Sequence, residues 1–233
     1  MKKGDDRRQQ IIETAEALFY AKGYEATSIQ DILDALDLSK GGFYHHFESK
    51  LALLTAICDI RADELSQDME AAIDACEGNA VDKLNALFSK GGLLHESSMD
   101  FIGLLMQVAY RGDGVMLREK MKSATVRGAL PLLNGIISEG VETKLFSTRY
   151  QDDIGEMLLL LFAVLTDEVS LILATTPERM SAVLAKLEVY RYTVETLLNA
   201  PYGSVLLYDI DRIAFVLKVI AEQDKKLGKL PER

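Results

Sequence analysis

The chain has little of what secreted, fibrous or membrane-spanning proteins are built from. Among its 233 residues are two cysteines, four prolines and no tryptophan. Its longest apolar run, residues 157–165, has nine residues, whereas a transmembrane helix needs about 20. The first residues include Asp5 and Asp6 where a secretory signal would be apolar. We therefore expect a cytoplasmic protein with no membrane partner.

Motifs of the common enzyme classes are also missing. The sequence has no glycine-rich phosphate-binding loop, no His-Cys-carboxylate set at metal-ligand spacing and no Gly-x-Ser-x-Gly motif. Cys58 and Cys76 lie 18 positions apart in one predicted helix, too far to form a disulfide, and we expect both to be buried free thiols. These absences predict a protein that is not an enzyme and uses no metal or cofactor.

What the sequence does contain is helical periodicity, without any alternating strand pattern of useful length, so an all-α fold is predicted. A first helix is predicted by the apolar spacing of Ile11, Ile12, Ala15, Leu18 and Phe19, with Gly23 as its stop. Ile29, Ile32, Leu33 and Leu36 follow at i, i+3, i+4 and i+7 and predict a second, capped by Thr27 or Ser28.

A third helix is predicted after the short turn at residues 36–38. Ser39 can cap it, Phe43 and Phe47 point to one side, and Gly41, Tyr44 and His45 lie on the other. Lys40 and Lys50 offer cations for phosphates, while Tyr44 and His45 can donate to phosphate oxygens or base edges. The pattern indicates a helix-turn-helix that binds DNA, although any small three-helix domain also has a polar outer face.

The stretches 15–32 and 39–53 resemble the DNA-binding end of the TetR family of transcriptional regulators. Shared features are Ala-x-x-Leu-Phe-x-x-x-Gly-Tyr-x-x-Thr-Ser-Ile-x-x-Ile and Ser-Lys-Gly-x-Phe-Tyr-His-His-Phe-x-Ser-Lys-x-x-Leu. The resemblance implies phosphate contacts at Thr27, Ser28 and Lys50, and a groove-facing helix at residues 40–45. The candidate DNA-binding residues are Thr27, Ser28, Ser39, Lys40, Gly41, Gly42, Tyr44, His45 and Lys50.

Two positions depart from the family pattern. Leu36-Asp37-Leu38 stands where members commonly have Ala-Gly-Val, and Gly42 stands where Thr, Ser or Ala is usual. The first departure affects the turn, and the second removes a side chain that could contact a base.

Net charge does not by itself favour nucleic acid. The formal charge is −10, and residues 1–50 hold seven basic against nine acidic side chains, so contact must come from a local cluster. Lys2, Lys3, Arg7 and Arg8 precede the predicted first helix, where a flexible arm could reach phosphates or the minor groove. The alternative is a merely solvated start.

We divide the chain into a DNA-binding domain, residues 1–50, and a larger helical domain for ligand binding and dimerisation, residues 51–233. A long helix is predicted over residues 49–76. Residues 152–174 form another that is apolar all round, and a further helix follows Thr176-Pro177-Glu178. Such a pair can meet its symmetry copy as a four-helix bundle, or can be the core of a monomer. The predicted dimer interface is Met157, Leu161, Leu165, Val183, Leu187, Tyr190 and Val194.

The middle of the chain is rich in methionine, which suits an adaptable apolar pocket but is equally common in a core. Candidate ligand-binding residues are Met99, Met106, Tyr110, Met116, Met121 and Phe162. A last amphipathic helix is predicted at residues 204–226, with an open role: enlarging the dimer contact or covering the ligand domain.

The sequence thus predicts a homodimeric repressor whose palindromic double-stranded operator is released when a small apolar effector binds. Symmetry would place the two recognition helices in major grooves about 34 Å apart, or a multiple of that. Alternatives are an activator or a ligand-independent DNA-binding regulator of the same fold, and an enzyme or small-molecule carrier with an incidental three-helix unit.

Overall fold

Every regular element in the described part of the chain is a helix, in agreement with the predicted all-α class. A computed structural model describes residues 3–91, Leu104, Val108, 114–176 and 179–207. The ligand candidates Met99, Met106 and Tyr110 lie outside these residues, as does most of the predicted last helix.

The helices are α1 (Lys3–Lys22), α2 (Ile29–Leu36), α3 (Lys40–Tyr44), α4 (Lys50–Asp74), α5 (Ala80–Gly91), α6 (Gly114–Glu142), α7 (Ile154–Thr175) and α8 (Met180–Leu198). None of these described helices is long and apolar enough to cross a membrane. Gly23, with φ 86°, follows α1, as the sequence predicted. Asp37 and Asn199, with φ 48° and 49°, cap α2 and α8 in the left-handed region.

The described residues form two compact units. The first contains the residues up to Arg61 together with Leu104, Val108 and residues 114–121. Its core draws apolar side chains from each of its helices, chiefly Ile11, Ala15, Phe19, Ile32, Phe43, Phe47, Leu53, Leu54, Ile57 and Leu117. Glu16 on α1 also pairs with Arg61 on α4 at 2.8 Å. The three-helix start is therefore braced by the first turns of α4.

The second unit contains the remainder of α4, α5, most of α6, α7 and α8. Its fully buried side chains include Met69, Leu84, Leu133 and Ile137. Close approach of neighbouring helices depends on glycine: a Cβ on Gly128 of α6 would lie 2.1 Å from Ser66 Oγ of α4. The two units are covalently continuous through α4 and α6.

Two details differ from the predictions. Cys58 is buried in α4, which raises the pKa of its thiol to about 12, but Cys76 lies beyond the end of α4 and is only half-buried. Ser204–Leu207, predicted as the start of the last helix, is non-helical. The Asn85 side chain donates to the Ser204 carbonyl and accepts from the Leu206 amide, while Glu195 accepts from the Val205 amide. These side-chain bonds hold residues 204–206 against α5 and α8.

Candidate nucleic-acid interface

A reciprocal cap fixes the start of α2. The Ser28 hydroxyl accepts from the Asp31 amide at 3.1 Å, and the Asp31 carboxylate accepts from the Ser28 amide at 2.8 Å. Lys22 pairs with the same carboxylate at 2.9 Å. The Ser28 hydroxyl, followed by the Lys22 ammonium, holds the pKa of Asp31 well below its usual range. The beginning of α2 is therefore locally determined.

The turn between α2 and α3 closes on Asp37. Its backbone adopts φ 48° and ψ 50°, a region that favours glycine, and the following Leu38 amide donates to the Leu33 carbonyl at 2.9 Å. An aspartate thus occupies the position where the family pattern commonly has glycine. The turn still ends α2 in the left-handed conformation, although it has Asp where glycine is common.

The short helix α3 has one buried side and one open side. The Ser39 hydroxyl accepts from the Gly42 amide at 3.1 Å and caps the helix. Phe43 is buried, as is Phe47 just beyond the helix, whereas Tyr44 is 52% exposed. Lys40, Gly41 and His45 are also exposed. The distribution of buried and exposed side chains follows the predicted periodicity, and the open side is the candidate DNA-reading surface.

Gly42 is half-buried and packs beside the preceding turn. A Cβ placed on it would lie 2.7 Å from Leu38 Cδ1 and 3.3 Å from Leu38 Cγ. Its missing side chain therefore makes room for the large residue in that turn. The position predicted for Gly42, facing the major groove, stays a prediction.

Thr27 is buried as well. Its hydroxyl donates to the Gly23 carbonyl at 2.8 Å and takes part in the corner between α1 and α2. A phosphate could not reach this hydroxyl without opening the fold. Ser28 and Ser39 are exposed, but their hydroxyl groups cap α2 and α3. A hydroxyl that contacted a phosphate would have to do so while it also caps its helix.

Three cations expected to contact phosphate instead have partners within the first unit. Lys50 donates to the carbonyls of Tyr24 and Thr27 at 2.8 and 2.9 Å. Arg7 donates to the Leu36 carbonyl at 3.2 Å, and the Arg8 guanidinium lies 5.1 Å from the Phe47 ring centre. The last two belong to α1, which begins at Lys3. The prediction that they form a flexible arm before the first helix was therefore wrong.

A capped α2, a tight turn and an α3 with an exposed polar side together form the geometry of a DNA-binding helix-turn-helix. Residues 11–57, from the middle of α1 to the first part of α4, match the family described as "Bacterial regulatory proteins, tetR family". This segment is thus similar to the DNA-binding end of the TetR family of transcriptional regulators.

Known transcriptional regulators resemble the chain to different extents. The uncharacterized HTH-type transcriptional regulator YerO of Bacillus subtilis is 46% identical over 55 residues, which are 24% of this chain and 19% of YerO. The match thus spans about a fifth of YerO. The HTH-type transcriptional repressor NemR of Escherichia coli K12 is 26% identical over 140 residues, 59% of this chain and 70% of NemR. The crystal structure of a TetR-family regulator from Cytophaga hutchinsonii shares the fold, with 24% identity, a TM-score of 0.57 and coverage of 85% and 96% of the two chains.

An apolar surface lies on α7. Met157, Leu160, Leu161 and Val164 are spaced as one helical stripe, and each is between 42 and 55% exposed. We call these four residues the α7 apolar face. Val189 and Tyr192 on α8 are exposed too. The sequence did not single out Leu160 and Val164, because α7 is apolar on every side and its periodicity does not select the outer face.

The remaining residues of the predicted dimer interface are buried within the chain. Leu165, Val183, Leu187, Tyr190 and Val194 are each less than 9% exposed. Tyr190 donates to the Leu158 carbonyl at 2.8 Å, and burial raises the pKa of its hydroxyl. These five residues pack α7 and α8 into the second unit. Met157 and Leu161 are exposed, and their interface role stays a prediction.

The predicted ligand residues that can be placed do not form one group. Met116 is 81% exposed, Met121 packs against the core of the first unit, and Phe162 is buried in the second unit. Phe162 lies among aromatic rings, 5.5 Å from both Phe88 and Tyr190 between ring centres. Phe162 is therefore the one of these three that lies among buried aromatic side chains.

Proposed function

We propose that this chain is a ligand-responsive repressor that binds a palindromic operator as a homodimer. The observation that carries the proposal is the exposed set Lys40, Gly41, Tyr44 and His45 on the outer side of α3, backed by the buried Phe43. Phenol, imidazole and ammonium groups can donate to phosphates and base edges in a major groove. The similarity to the repressor NemR, which matches 59% of this chain, supports repression rather than activation.

In this proposal residues 1–50 are the DNA-binding domain, and residues 51–233 bind the ligand and form the dimer. Such a regulator would act in the cytoplasm, as the sequence predicted. The exposed carboxylates Asp34 and Asp37 on and beside α2 oppose general attraction to DNA. We therefore expect weak non-specific binding, with selectivity resting on the few groups of α3.

DNA binding is tested by selecting bound fragments from random duplex and titrating salt on the winning sequence. Lys40→Ala should reduce the slope of log K against log salt by about 0.9, the effect of one lost phosphate contact. Arg149→Ala, which removes an exposed cation from the second unit, is the matched control and should leave the slope unchanged. Tyr44→Ala and His45→Ala should alter the preferred sequence more than the slope. Failure to enrich any sequence would reject the proposal.

Dimerisation is argued from the α7 apolar face. Four large apolar side chains exposed in one stripe are the kind of surface that a self-complementary interface covers. A dimer closed in this way would present two copies of α3, and a palindromic operator follows from its two-fold symmetry.

The interface is tested by Val164→Glu, which places a charge on the α7 apolar face. Sedimentation equilibrium should find a monomer, and operator affinity should fall with it. Gln67→Glu adds the same charge at an exposed position on α4 and should remain dimeric. A V164E variant that stays dimeric would show that the interface lies elsewhere.

The ligand response is argued from the second unit, where Phe88, Phe162 and Tyr190 pack as an aromatic cluster. An apolar effector that prefers one arrangement of those helices would act on DNA through α4, whose residues belong to both units. Reciprocal linkage then requires that an effector which raises thermal stability also lowers operator affinity. A tight ligand that leaves DNA affinity unchanged would contradict this part of the proposal.

A further inference from the structure

Lys50 is the first residue of α4, and its ammonium group has three neighbours within the first unit. It donates to the carbonyl oxygens of Tyr24 and Thr27, at 2.8 and 2.9 Å, and lies 4.2 Å from the centre of the Tyr24 ring. The side chain is partly buried. Charge-assisted hydrogen bonds and a cation over an aromatic face are both strengthened by partial removal from water.

The two carbonyls belong to the corner that leads into α2. Gly23 ends α1 with φ 86°, the Thr27 amide donates back to the Tyr24 carbonyl, and the Thr27 hydroxyl donates to the Gly23 carbonyl. Ser28, the residue after Thr27, is the cap of α2. One ammonium group therefore fixes both ends of residues 24–27 against the first turn of α4.

We infer that Lys50 is a positioning residue that sets where α2 begins, and with it the placement of α3, rather than a ligand for operator phosphate. Two of the three ammonium donors are occupied by carbonyls, and the charge lies over the Tyr24 ring. Lys40, by contrast, is exposed on α3. This inference rests on the proposed function for its effect on DNA, while the link between Lys50 and the α1–α2 corner can be tested in the protein alone.

The test compares Lys50→Met, which keeps an unbranched side chain without the charge, with Lys50→Arg, which keeps the charge, and with Lys40→Met, which removes an exposed cation. Hydrogen exchange is measured first, without DNA. K50M should speed exchange of the Thr27, Ser28 and Asp31 amides and spare the Gly42 amide, which is held by Ser39 Oγ. Unchanged exchange at Thr27 and Ser28 would overturn the inference.

Operator binding is then measured across a range of salt concentrations. K50M should weaken operator binding by about tenfold, the size of one lost base contact, while its salt slope and its affinity for unrelated duplex stay as in the wild type. K50R should stay close to the wild type, and K40M should flatten the slope by about 0.9. A flattened slope for K50M, or unchanged operator affinity, would reject the positioning role. A general loss of stability would instead lower the affinity for the operator and for unrelated duplex equally. The two measurements therefore distinguish it from the loss of a positioning role.

Lys50→Gln serves if K50M does not fold, because its amide can still donate to one carbonyl and should give intermediate exchange and affinity. If the wild type binds no DNA sequence selectively, the proposed function fails, whereas the exchange comparison still decides whether Lys50 holds the corner.

Discussion

Gly42 and Leu38 compete for one volume between α3 and the turn before it, which makes Gly42→Ala the most informative substitution in the first unit. The added Cβ would lie 2.7 Å from Leu38 Cδ1 and 3.4 Å from Ser39 Oγ. Ordinary contacts between carbon atoms are about 3.5–4.0 Å. Gly41→Ala is a matched control in the same helix, because its Cβ would have only Ser39 Oγ nearby, at 4.0 Å.

Two terms of opposite sign determine the stability change. Replacing glycine by alanine in a helix is worth about 1 kcal/mol, and overpacking costs about 1–3 kcal/mol. The overlapping atom is the tip of a partly buried leucine, so the lower half of that range applies. G42A alone should therefore lie between neutral and about 1 kcal/mol less stable than the wild type, whereas G41A should gain stability.

Shortening Leu38 to valine should reverse the sign. Leu38→Val alone costs about 1 kcal/mol, because one partly buried methylene is lost, but it removes the Cδ1 overlap. In that background G42A should become stabilising by about 1 kcal/mol. The expected coupling between the two substitutions is therefore about 1–2 kcal/mol. The same pair brings the chain closer to the family pattern, with Val in the turn and Ala in the helix.

The assay is urea unfolding of the wild type, both single variants and the double variant, followed by circular dichroism at 222 nm, with G41A measured alone and with L38V. Free energies that add within about 0.3–0.5 kcal/mol, the range found for independent sites, would refute the steric argument. So would a coupling for G41A as large as that for G42A.

Three further changes test other parts of the fold. Asp37→Asn should raise the melting temperature by about 1–2 °C, because asparagine tolerates the left-handed backbone and a negative charge leaves the carboxyl end of α2; a lower melting temperature would contradict this. The depressed pKa of Asp31 stabilises the fold fully above the unfolded value of about 3.9, and that contribution is lost gradually as the pH falls from there through the lower folded value. Asp31→Asn should therefore lower the melting temperature at pH 7, and the difference from the wild type should shrink steadily as the pH falls below about 4; a constant difference would rule out the capping carboxylate as its source. Tyr190→Phe removes the bond to the Leu158 carbonyl and should cost about 1 kcal/mol in chemical unfolding, with no measurable loss counting against that bond.

Much of the helical structure follows from local sequence. The predicted helix over residues 49–76 is α4, Lys50–Asp74, and the predicted helix over 152–174 is α7, Ile154–Thr175. Ser39 caps α3 as expected, and Ser28 is the one of the two candidates, Thr27 and Ser28, that caps α2. Helix ends and faces are recoverable because capping bonds and the 3.6-residue period join residues only a few positions apart.

The partners of long side chains were beyond that reasoning. Lys50 bonds to carbonyls 26 and 23 positions earlier in the chain, and Arg7 bonds to one 29 positions later. Nothing in the neighbourhood of these cations in sequence distinguishes an internal carbonyl from an external phosphate. The packing of Gly42 was also beyond the sequence. The sequence shows that residue 42 has no side chain, but it does not show that Leu38 occupies the space.

The sequence by itself determined that the chain is helical, that α2 and α3 are capped around a tight turn, and that Phe43 points inward while Tyr44 and His45 point outward. Only the tertiary structure decided which apolar side chains of α7 and α8 are buried and which cations remain for a ligand. The physical reason is that periodicity fixes the direction of a side chain relative to its own helix. Burial and charge pairing depend on what the other helices bring to that position.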